Sequence, residues 1–145
     1  MGALLATTAL AIPASAQSVD KTLPFELDHW YELNVKDGPI TLHRIHLERL
    51  SGGGLKARVT HAADEEYTVP VKIELEYSNA SSTDWKAALR VTWVDENGEA
   101  IDGYTGNHQL DEKKDFDRTG GTVTTLRYGL AHARKLKLLI SVRPD

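Results

Sequence analysis

An all-β fold, an immunoglobulin-like antiparallel β-sandwich of about seven to nine strands, is predicted for this chain by three observations. Apolar residues alternate with polar ones over most of the sequence after Pro24, and clusters of Gly, Pro, Asn and Asp punctuate the alternation. No segment carries a convincing 3.6-residue stripe.

The opening residues stand apart from that pattern. Met1 to Ala16, MGALLATTALAIPASA, has no charge, is rich in Leu and Ala, and ends Ala14-Ser15-Ala16. It reads as a secretory signal peptide cleaved after Ala16, because signal peptidase accepts only small side chains at the first and third positions before the cut. No Lys or Arg precedes the apolar run, a departure from the usual basic start. Residues 17–24 read as a polar N-terminal linker, and residues 25–145 as a single sandwich domain.

Strands are expected near His29 to Val35, Ile40 to Leu47, Leu55 to Thr60, Val69 to Tyr77, Ala88 to Asp95, Glu99 to Tyr104, Thr122 to Tyr128 and Leu136 to Val142. The strongest are Val69, Val71, Ile73, Leu75 and Tyr77 on one side of a strand, and Leu136, Leu138, Ile140 and Val142 on another. Pro70 cannot donate to a ladder, which puts an edge or a bulge beside it. Ile40 and Leu42 share one parity while Ile45 and Leu47 share the other, so a β-bulge near His43-Arg44 is needed to keep one buried face. Lys36 to Pro39 and Gly52-Gly53-Gly54 read as turns, and Ser81 to Ala88 as a segment able to form one short helical turn. At Asp95-Glu96-Asn97-Gly98 a type I turn with Gly98 left-handed sets Trp93 opposite Ile101, whereas a two-residue turn would set Trp93 against Asp102. Thr105 to Gly121 reads as a long solvated crossover with a short strand at His108 to Leu110; loops of such length otherwise tend to be functional.

Composition narrows the function classes. The 145 residues carry 17 Lys plus Arg against 21 Asp plus Glu, a net charge of -4, and no Cys. That suffices for one domain and argues against an electrostatic grip on nucleic acid or anionic lipid. Disulfides, thiolate chemistry and a lipid-anchored Cys are excluded. No later run approaches ~18 apolar residues, so no membrane insertion is expected. The address implied by the leader is the periplasm or the extracellular space.

Chemistry is sparse. There is no G-x-S-x-G elbow and no S-x-x-K, and the triglycine is followed by neither a Lys-Ser/Thr pair nor a helix, so the chain is not read as an enzyme and no cofactor is expected. Of six His residues, His43 and His46 are odd-spaced on a strand and share a face only through the bulge, which makes them weak metal candidates. His29, His61, His108 and His132 read as surface or rim groups. Asp95, Asn97, Glu99 and Asp102 have the wrong spacing for an EF-hand and are better explained by a hairpin. Aromatic side chains give the better binding signal. If Tyr31, Leu33 and Val35 point inward, Trp30 points outward with Glu32 and Asn34, and Trp85 follows a polar connection. Exposed Trp stacks on sugars or anchors interfaces; the plainer account, which we favour, puts Trp30 on an inter-sheet edge and Trp85 as a plug at one end. Trp30, Trp85, Tyr104, His108 and Phe116 are the candidate binding residues.

Val91-Thr92-Trp93-Val94-Asp95-Glu96-Asn97-Gly98, followed later by Gly129-Leu130-Ala131-His132-Ala133-Arg134-Lys135-Leu136-Lys137-Leu138, resembles the YcfL-like family of uncharacterised envelope proteins. Val91, Trp93 and Asp95 are also similar to FxLYD-type immunoglobulin-like domains of bacterial secreted proteins. The resemblance spans Val69 to Val142 and rests on hairpin motifs. The chain departs from the YcfL-like pattern in lacking the anchor Cys and in having Thr119-Gly120-Gly121 where a Pro-containing turn is usual. The resemblance implies an envelope sandwich and transfers no catalytic residue. Together these readings lead to a secreted or periplasmic, non-enzymatic interaction module for an envelope protein or polysaccharide, acting through Thr105 to Gly121 or the Trp30 face. The alternative is a small-ligand module, for carbohydrate through Trp30, Trp85 and Tyr104 or for metal through His43 and His46.

Overall fold

The computed structural model describes residues 17–50 and 67–145. The leader, the Gly52-Gly53-Gly54 turn, the strand expected at Leu55 to Thr60 and His61 lie outside the described residues. The rest folds as two four-stranded antiparallel sheets, the sandwich that the alternation predicts.

The strands are β1 (Val19–Pro24), β2 (His29–Asp37), β3 (Ile40–Arg49), β4 (Thr68–Asn79), β5 (Trp85–Val94), β6 (Ala100–Leu110), β7 (Lys114–Leu126) and β8 (Lys135–Pro144), with one short helix, α1 (Arg127–His132), before the last strand. The first sheet has the order β1-β8-β5-β6 and the second β2-β3-β4-β7. Both strongly alternating runs hold inner positions, so Pro70 marks neither an edge strand nor a bulge; it faces β3 just past the last β3–β4 pair, where its carbonyl accepts from the Leu50 amide. Val69, Val71, Ile73, Leu75 and Tyr77 of β4 face Leu136, Leu138 and Ile140 of β8 and Ala87, Leu89, Val91 and Trp93 of β5 across a continuous core. Burial of that surface is the main force holding the sheets together.

The β3 bulge is where the parity slip requires it. Register shifts between Leu42 and Arg44, and a matching irregularity between Glu32 and Val35 in β2 puts Asn34 at φ 52. Ile40, Leu42, Ile45 and Leu47 are thereby all fully buried. Tyr31 is buried as well, its hydroxyl accepting from the Glu26 amide at 2.7 Å and donating to the Pro24 carbonyl at 2.8 Å.

Five further expectations need correction. Residues 17–24 are not simply a linker: Val19 to Pro24 forms β1, paired with Lys135 to Ile140 of β8, because Val19 and Leu23 are enough to seat a short edge strand. The Thr105 to Gly121 crossover does not exist as a loop. β6 runs on to Leu110, β7 starts at Lys114, and Thr119-Gly120-Gly121 lies inside β7. Thr122 to Tyr128 is strand only to Leu126, and Arg127 and Tyr128 begin α1. Ser81 to Ala88 is not helical, since β5 starts at Trp85 while the Asn79 side chain organises the preceding bend by accepting from the Ser81 amide at 2.9 Å and donating to the Leu110 carbonyl at 2.9 Å. Finally, Gly98 is left-handed at φ 83 as expected, with Asp95 bonded to Glu99 and Gly98 across the turn, but Trp93 pairs with Asp102. A bulge at Ile101 shifts the ladder by one, and Asp102 is tolerated beside the core because Thr125 Oγ1 donates to it at 2.6 Å.

Candidate functional site

Because three strands of the second sheet, β2, β3 and β7, carry bulges, its outer face collects side chains that strict alternation would scatter. Across all four strands runs the row Glu32, Arg44, Glu76, Arg118, and beside it the row Trp30, His46, Glu74, Gly120. The Trp30 ring is stacked on His46, with centroids 4.5 Å apart and planes 10° apart. The Arg44 guanidinium lies 4.1 Å and that of Arg118 4.9 Å from the Trp30 centroid, so an aromatic plate is flanked by two cations.

Glu76 holds both cations in place. Arg44 Nε donates to its Oε1 at 3.0 Å and Arg44 Nη2 to Oε2 at 3.4 Å, while Arg118 Nε donates to Oε2 at 3.3 Å. Arg118 also pairs with Glu74 at 3.5 Å. Burial alone would raise the Glu76 pKa, but the bonds and charges of Arg44 and Arg118 outweigh it and hold the carboxyl below its ordinary value. Beside Trp30 an open groove of about 360 Å³ is bordered by Leu23, Pro24, Glu26, His29 and Glu32.

A second aromatic pair stands at the far end of the face. Phe116 is 60% exposed and stacks on His43 at 4.0 Å. Ser78 Oγ donates to Asp115 Oδ1 at 2.8 Å and accepts from the Phe116 amide at 3.0 Å, which makes His43 Nε2 the donor in its 2.7 Å contact with Ser78. The bulge puts His43 and His46 on one face, but Arg44 stands between them and each ring is committed to a different partner. Among the described residues, no three His, Asp or Glu side chains converge as a metal site.

The other sequence-derived candidates sit elsewhere. Trp85 is half-buried at one end of the sandwich against Gly38, the plug of the plainer account. Tyr104 and His108 point between the sheets, where β6 lies against β7, and their side chains meet at 2.7 Å. Desolvation raises the Tyr104 phenol pKa and lowers that of His108, so the phenol donates and the neutral imidazole Nε2 accepts. Gly121 makes room for the Tyr104 ring, which a Cβ there would strike. This pair is a seam of the fold. Arg44, Arg118, Glu74 and Glu76 were not singled out from sequence; the Glu74/Glu76 alternation on an amphipathic strand was the available signal, but its partners come from other strands.

Fold and site thus define an all-β sandwich with an aromatic, charge-flanked plate on one outer sheet face. No family model matches the chain, and no curated protein matches it. Among solved structures, it is similar to the crystal structure of a DUF1425 family member from Shewanella sp. pv-4, with 15% identity over 83% of this chain and 94% of that one and a TM-score of 0.34. A likeness of this order identifies neither a family nor an activity. Among the described residues, no helix is long and apolar enough to cross a membrane.

Proposed function

We propose that the protein is a secreted or periplasmic, non-enzymatic interaction module, of the kind the YcfL-like resemblance implies, which binds another envelope component through the outer face of its second sheet. The observation that carries this reading is the fixed Trp30 plate. Its ring is held by His46, Arg44 and Arg118, so its ordering entropy is already spent before a partner arrives. Trp and Arg are the side chains from which interfaces draw most of their energy. The leader and the absence of nucleophile motifs support the address and the non-enzymatic class.

A photo-crosslinking residue placed at Glu32, at the rim of the plate, is expected to capture one envelope protein in cells. Trp30→Ala, made in the same background, is expected to abolish that adduct while leaving the fold intact by circular dichroism. An adduct that survives Trp30→Ala would place binding elsewhere. A carbohydrate reading is favoured by the groove beside the Trp30 ring; chemical-shift changes confined to Trp30, His29 and Glu26 on adding cell-wall oligosaccharides would support it instead.

A further inference from the structure

The four edge strands of this sandwich are not equally protected. β1 carries Asp20, Lys21 and Pro24 in six residues, and β2 carries Glu32, Lys36 and Asp37 together with a bulge; charges, Pro and bulges are the devices that keep sheet edges from pairing. β7 is the other outer strand of the second sheet and is thirteen residues long, and among the described residues no strand pairs with its other edge. Its bulge, with Phe116 at φ 52, and its charges Lys114, Asp115, Asp117 and Arg118 lie at its start, and from Thr119 to Leu126 it has no charge at all. β6, the fourth edge, is likewise uncharged from Gly103 to Leu110, so the choice of β7 rests on its self-complementary register.

The hydrogen-bonding direction of each residue follows from β4. The Pro70 carbonyl accepts from the Leu50 amide on the β3 side, so Pro70 faces β3 and Val71 faces β7. Val71 pairs with Val123, which therefore turns its backbone toward β4. By alternation, Arg118, Gly120, Thr122 and Thr124 present their N–H and C=O groups at the open edge. Phe116 and Leu126, each 60% exposed, lie at equal distances on either side of Gly121.

We propose that β7 pairs antiparallel with β7 of a second copy of this chain, about a two-fold axis at Gly121. In this register Gly120 meets Thr122 and Arg118 meets Thr124, and each pair exchanges two backbone hydrogen bonds. Phe116 of one copy covers Leu126 of the other at both ends, and Arg118 and Asp117 oppose only Thr124 and Thr125, so no like charges meet. Residues opposed in a sheet share a face, so the two Trp30 plates come to lie on one side of a single eight-stranded sheet.

The register is tested by sign. With the full chain, sedimentation equilibrium is expected to show a monomer–dimer equilibrium. Thr124→Arg, which sets a cation against the partner copy's Arg118, is expected to weaken the dimer about fivefold, and Thr124→Glu to strengthen it by about the same factor. A Thr119→Cys/Val123→Cys variant, with both positions in the regular part of β7, should oxidise to a covalent dimer. The chain has no other Cys, and four residues of strand, ~13 Å, keep the two positions of one copy apart. A chain that is monomeric at every concentration leaves this edge to a foreign strand and overturns self-pairing. Equal effects of the two Thr124 variants, or a folded double-Cys variant that yields no covalent dimer, would overturn the register.

Discussion

Glu76 shows how much one buried carboxylate organises. It is 7% exposed, and both flanking guanidiniums that steady Trp30 depend on it. Glu76→Gln keeps the shape but removes the charge that two cations face, and is expected to cost about 2 kcal/mol and to loosen the plate. The folded state holds this carboxyl below its ordinary value of 4.5, so the unfolded chain takes up the proton first as the pH drops. Its contribution is complete above that value and is lost as the pH falls through the depressed folded value. Urea midpoints measured across this acidic range should slope less steeply in Glu76→Gln than in the parent. None of this was legible in the sequence. Glu76 reads there as one more outward residue on β4, because its partners Arg44 and Arg118 are 32 and 42 positions away.

At the scale of elements, the alternation was readable wherever inner positions are large and apolar, as in β4, β5 and β8, and it failed where they are small or polar. The inner face of β6 presents Asp102, Tyr104, Gly106 and His108, and that of β7 presents Asp117, Thr119, Gly121, Val123 and Thr125. These strands meet along one side of the sandwich, where hydrogen bonds such as that from Thr125 to Asp102 replace apolar contact, so the pattern that marks a strand is absent from them. The short helix α1 escaped for a related reason, since it buries only Leu130. Gly120 belongs to the same account. A Cβ there would run into the Ile73 carbonyl oxygen, so β7 can lie against β4 only with glycine at this position. Gly120→Ala is therefore expected to destabilise by about 3 kcal/mol, well beyond the propensity change, with faster amide exchange concentrated in β4 and β7.

For the molecule as a whole, the fold class was legible and the N-terminal strand was not. Residues 17–24 look like a tether, yet β1 covers β8 with Val19 and Leu23, and the Pro24 carbonyl receives the Tyr31 hydroxyl. Cleavage after Ala16 would spare all of this, whereas a chain begun at Phe25 should lose about 4 kcal/mol, measurable by thermal unfolding. The candidate plate was half legible: Trp30 stood out as an outward aromatic, while the cations that fix it did not. The core holds one last consequence, an optical one. Trp93 is fully buried beside Phe25, and among the described residues its indole Nε1 meets no hydrogen-bond partner. An indole so isolated emits at the blue edge of the tryptophan range and is closed to soluble quenchers. Red-shifted, quencher-accessible emission then comes from Trp30 and the half-buried Trp85, so in a Trp85→Phe chain the red-shifted, quenchable part of the emission would report on the outer plate alone, over the blue emission of Trp93.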